Sequence, residues 1–155
     1  CAAGASPEMW CDLHTGSWYQ GGSRDSVESP LEGRQFGAPL FLRSGSGLVL
    51  GAPGAPMERE VILASAPEQQ TAIEMAWFED PTPDQCGRLE SPEDMVALDL
   101  SALPSADSIT ITRFVAVQTH PLPFSKVTFR LPPGDTRTLR LAEGLKVPAG
   151  VDLIV

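Results

Sequence analysis

Asparagine is missing from this 155-residue chain, so it has no acceptor for an Asn-linked glycan. Histidine, the residue catalysis at neutral pH most often recruits, is scarce: His14 and His120 are the two present. No apolar run approaches the ~20 residues a membrane-spanning helix needs. The net charge of -9 weighs against a nucleic-acid partner, which must neutralise phosphates. Recognisable reaction motifs are missing as well. No Ser sits in a Gly-x-Ser-x-Gly elbow, there is no Cys-x-x-Cys, and no Lys-Ser/Thr follows the glycines of residues 44–56. The expectation is a chain that is not an enzyme, with no catalytic residue, no metal and no cofactor.

Proline and glycine are plentiful at 15 and 14, which disfavours long helices and favours short strands and turns. Residues 94–141 carry the plainest pattern. Val96–Leu100, Ile109–Val117, Val127–Leu131 and Thr138–Leu141 alternate apolar and polar residues, with Pro or Gly breaks between most of them. Earlier, Pro39–Arg43 and Gly47–Gly51 predict a hairpin around Ser44-Gly-Ser-Gly. Glu58–Ser65 predicts a strand, and Thr71–Phe78 is read as another because Ile73, Met75 and Trp77 alternate with smaller or polar residues. Ser91–Asp94 could open one helical turn, and the tail Leu145–Val155 could dock as a last strand. Eight or so short strands predict an all-β fold: a single antiparallel β-sandwich, Ig-like or jelly-roll-like, with a β-barrel as the alternative.

Cysteines stand at 1, 11 and 86, an odd number that suggests one pair and one special thiol. Cys11 and Cys86 are the expected disulfide, worth ~4 kcal/mol in the chain-entropy picture. Cys1-Ala-Ala-Gly-Ala-Ser-Pro resembles the mature start of a bacterial lipoprotein. That resemblance implies acylation of Cys1 and a flexible tether over residues 1–8, which leaves 9–155 for the β-sandwich expected from the strand pattern. It also implies lipid anchoring in the bacterial cell envelope, at the outer membrane or cell surface. Asp99-Leu-Ser-Ala-Leu-Pro with the later Phe124–Leu131 is similar to the tellurium-resistance TerD-type β-sandwich. That family binds calcium through acidic loop residues, and no position here matches those ligands.

Two surfaces stand out as binding candidates. Charge is uneven: residues 1–100 carry 16 acids and 5 bases, residues 101–155 carry 4 acids and 6 bases. Arg113, Arg130, Arg137 and Arg140 could form an Arg/Thr face for an acidic protein partner, as a structural subunit of an envelope assembly would need. The second candidate is an aromatic platform of Trp10, Trp18 and Tyr19, suited to an extracytoplasmic ligand-binding module for carbohydrate or metal. Met9, Cys11 and His14 are soft ligands close in sequence, as a copper site would need, but packing beneath a disulfide is the plainer expectation. Glu79-Asp80 and Glu93-Asp94 would serve a glycosidase only if held across a cleft.

Overall fold

The structure, a computed structural model, describes residues 7–24, 39–79, 95–116 and 122–155. Among these residues eleven strands follow in chain order: β1 (Met9–Asp12), β2 (Trp18–Gln20), β3 (Phe41–Arg43), β4 (Ser46–Ala52), β5 (Ala55–Ala64), β6 (Ile73–Glu79), β7 (Val96–Pro104), β8 (Ser108–Ala116), β9 (Lys126–Arg130), β10 (Thr138–Leu141) and β11 (Asp152–Ile154). They make three sheets, none closed on itself: a small sheet β2-β1-β3, an inner sheet β11-β9-β5-β4 and an outer sheet β10-β8-β7-β6. The β-sandwich predicted from alternation is the fold, and the barrel alternative is not. Antiparallel pairs dominate, but β10 runs parallel to β8, and β9 runs parallel to both β5 and β11.

Strand alternation sends successive side chains of β5 to opposite faces. Val61 and Leu63 enter the main core between inner and outer sheets, with Leu98, Leu100, Ile109, Ile111, Phe114, Val127 and Phe129. Ile62 faces the other way and packs with Cys11, Leu13, Trp18, Leu42, Leu48 and Leu50 beneath the small sheet. The architecture is therefore three-layered, with β5 buried on both sides. Each fully buried Val, Leu, Ile or Phe contributes about 1.5–3 kcal/mol, so the main core dominates stability.

A bulge tunes β8. Ser101 pairs with Arg113 while the next residue, Ala102, pairs with Ile111, leaving Thr112 as the extra residue. The shift turns both Ile111 and Phe114 inward although three positions separate them, and leaves Thr112 and Arg113 exposed.

One expectation is corrected here. β3 and β4 do not form a hairpin: β3 pairs with β1 in the small sheet, and β4 pairs with β5. Ser44-Gly45 is a crossing between layers, where Gly45 (φ 90°) donates its N–H to the carbonyl of Ala64. The tight hairpin lies one strand later, where Ala52 opposes Ala55 across Pro53-Gly54 and Gly54 supplies the positive φ of 75°. The strands expected near 58–65, 71–78 and in the tail are present as β5, β6 and β11. Ser91–Asp94 lies outside the described residues.

Gly16 joins the small sheet to the rest. Its φ is 78°, and a Cβ there would sit 1.7 Å from the carbonyl oxygen of Pro133. Gly22 has a similar φ of 82° with nothing within 4 Å. Gly16→Ala is therefore expected to cost about 2–4 kcal/mol, combining the backbone penalty with overpacking, and Gly22→Ala about 1 kcal/mol. Urea midpoints at unchanged m-value measure both, and equal losses would remove the role assigned to the Pro133 contact.

Candidate functional site

The small sheet is built to hold aromatic rings at its surface. β1 and β2 are joined by residues 13–17, a loop fixed by Asp12. Asp12 Oδ1 accepts from the His14 N–H at 2.8 Å, and its backbone carbonyl accepts from Gly16 at 2.7 Å. This closure sets the register that places Trp10 opposite Tyr19 and Cys11 opposite Trp18. On the other side of β1, Trp10 opposes Arg43, and Asp12 opposes Phe41.

Period-two alternation then divides the aromatics. Trp10, Tyr19 and Phe41 share one face, and Trp18 lies on the other with Cys11 and Leu42. Trp10 and Tyr19 are half-buried, and Phe41 is 37 % exposed. The Tyr19 and Phe41 rings meet edge to face, 6.0 Å apart at 78°. Together with Gln20, Gly21, Gly22 and Ser23 these three rings line an open pocket of about 400 Å³.

The turn after β2 forms one wall. Gly21 donates to the Glu8 carbonyl at 2.7 Å, and Ser23 donates to the Gln20 carbonyl through both its N–H and its hydroxyl. A Cβ on Gly21 would approach the Trp10 indole nitrogen at 3.3 Å, so the missing side chain lets the turn close against the indole. Arg43, on the same face, is held by Glu8 at 2.7 Å.

The predicted platform of Trp10, Trp18 and Tyr19 is thus brought together only in part. Trp18 points inward and lines a separate cleft of about 450 Å³ with Pro7, Met9, Ala66, Pro67, Glu68 and Gln69. Phe41 takes the third place. Its position opposite Asp12 is a fact of tertiary pairing, and the sequence signal for it was only the exposed phase of Pro39–Arg43.

The four arginines do not form one face. Arg137 is buried, its side chain 5 % exposed, with Nε and Nη2 on the two carboxylate oxygens of Asp135 at 3.0 and 2.6 Å. Nη2 also donates to the Ser65 carbonyl at 2.5 Å. That burial takes Arg137 out of any docking surface. Arg130 pairs with Glu60, Arg113 lies 3.8 Å from Asp99, and Arg140 is exposed on β10. The inner sheet adds Lys126 with Glu58, and Glu79 of β6 holds Arg59 at 3.0 Å. Arg59–Glu79 thus bridges the two sheets, while the Arg113, Arg130 and Lys126 pairs set opposed charges across neighbouring strands.

Cys11 is a free thiol, fully buried, and Cys1, Cys86 and His120 lie outside the described residues. Burial, reinforced by the negative charges of Asp12 and Asp135, pushes the Cys11 thiol up to about 12. Cys11 therefore sits as a neutral apolar side chain facing Ile62 and Leu42, away from the aromatic pocket. No group of three His, Cys, Asp or Glu side chains among the described residues could hold a metal ion.

No protein-family model matches the chain, and no curated protein is significantly similar to it. Among solved structures, it is similar to a GH31 alpha-xylosidase from Xanthomonas citri. The TM-score is 0.55 and the identity 21 %, over 83 % of this chain and 14 % of that one. The likeness is one of fold. It corrects the expectation of a non-enzyme: the missing motifs do not set this chain apart from enzymes, because a glycoside hydrolase carries a similar fold over 14 % of its length.

Proposed function

We propose that this chain is a carbohydrate-binding β-sandwich that works as one module of a larger glycan-processing protein or assembly. The observation that carries the proposal is the pocket of Trp10, Tyr19 and Phe41. Three aromatic rings left partly in water on one face forgo burial that would stabilise the fold, and such patches mark binding surfaces. A sugar ring has one face of C–H groups that packs on an aromatic face, whose negative quadrupole attracts the positive C–H edge. Its hydroxyls need partners at the rim, and the Gln20 amide and the Tyr19 hydroxyl offer both donors and acceptors there. The shared fold with a GH31 alpha-xylosidase supports a setting in which glycans are handled.

Titration with soluble glycans tests this. Trp10→Ala should weaken binding by about 30-fold, the ~2 kcal/mol of a buried aromatic anchor. Phe78→Ala, on β6 and 65 % exposed outside the pocket, should leave affinity unchanged. Equal loss in both variants would remove the site from the small sheet.

A further inference from the structure

We infer that the pocket takes a single terminal ring of a neutral glycan, and does not take an internal stretch of a linear chain. The inference rests on the carbohydrate-binding proposal and deepens it. A surface that reads successive sugars along a chain presents aromatic faces side by side, so that each ring of the ligand finds its own platform. Here Tyr19 and Phe41 stand at 78° in edge-to-face contact, so one ring is a floor and the other a wall. A pyranose stacked on the floor meets the wall at its edge, and a chain cannot continue through it.

The second side is closed by the Gln20–Ser23 turn, which the Gly21 N–H bond to the Glu8 carbonyl holds beside the Trp10 indole. The volume of about 400 Å³ falls near the lower end of the range for small-molecule sites, about 300–1,000 Å³, which suits one ring better than several.

Neutrality follows from the lining. Among the described residues that line the pocket, none is charged. A carboxylate or sulfate placed against these rings would lose water without gaining a dedicated partner. Arg43, opposite Trp10 on this face, is already paired with Glu8, and the chain as a whole carries -9.

The test is an array of immobilised neutral and acidic glycans, followed by calorimetric titration with methyl xyloside, methyl glucoside, glucuronic acid and linear xylo- and cello-oligosaccharides. The expected result is binding to a neutral monosaccharide glycoside, with Kd changing less than about threefold as units are added. Affinity that climbs tenfold or more with chain length would overturn the single-ring site while supporting the carbohydrate proposal. Tighter binding of glucuronic acid than of the neutral sugars would overturn neutrality. Retention of no glycan on the array would overturn the carbohydrate proposal itself. In Phe41→Ala the wall is gone, so longer oligosaccharides should gain affinity relative to the monosaccharide; an unchanged ratio would count against the corner geometry.

Discussion

Arg137→Met is expected to lower the unfolding free energy by about 3–5 kcal/mol, the cost of leaving one member of a buried ion pair alone. Asp135, its side chain 6 % exposed, would keep its backbone contact from the Arg137 N–H and lose both guanidinium bonds. The Ser65 carbonyl at the end of β5 would lose a donor too. The pair itself is not cheap to bury, since Arg137 Nη1 has no hydrogen-bond partner. Removing both charges with Asp135→Leu and Arg137→Met should therefore recover most of the loss, because well-packed apolar substitutes for a buried pair are often neutral or better. Urea unfolding of the two single variants and the double variant gives the coupling directly. A single-variant loss below about 1 kcal/mol would mean that solvent reaches the pair.

The Cys11 thiol should make the fold lose stability in alkali by up to about 4 kcal/mol, since each unit of pKa shift corresponds to 1.36 kcal/mol. The unfolded thiol ionises around its ordinary value of 9.0, and the folded one at about 12. Below pH 9 both states hold the proton and the contribution is intact. Between pH 9 and 12 the unfolded chain releases a proton that the folded chain keeps, so stability falls with rising pH across that window. Comparison with Cys11→Val isolates this from other alkaline titrations: the gap between the two unfolding curves should shift in favour of Val above pH 9. Alkylating reagents provide a second readout, since a neutral, fully buried thiol should react only on unfolding. Fast labelling of Cys11 in the native protein at neutral pH would contradict its assigned burial.

The strands of 94–141 were legible because each buries one face, so alternation appears directly in the sequence. Where both faces are buried, alternation vanishes. Val61-Ile-Leu-Ala could be recognised as a strand from its β-branched residues, but its continuous apolar run was also the mark of a strand between two layers. That second meaning is what places the small sheet. The β3 pairing was illegible for another reason: Ser44-Gly-Ser-Gly has the chemistry of a hairpin turn, and only the competition between β1 and β5 for partners decides what it joins.

The site was half legible. Trp10 and Tyr19 were marked by their residue types, while the inward turn of Trp18 depends on the Asp12-closed register. Phe41 comes from a strand 22 positions after Tyr19 and enters through tertiary pairing alone. Arg137 failed as a surface residue because it stands just before β10, outside any alternating run, where the Asp135 turn folds over the end of β5.

Because β5 contributes side chains to both cores, it ties their fates together. Loosening the main core removes the floor on which the small sheet rests, and lifting the small sheet exposes Ile62 in the middle of the inner sheet. The domain should therefore open as one cooperative unit. A three-stranded sheet of 3- and 4-residue strands could hardly hold a rigid pocket alone. Through Ile62 it draws on the rigidity of the whole sandwich, so its rings meet a ligand without first having to be ordered.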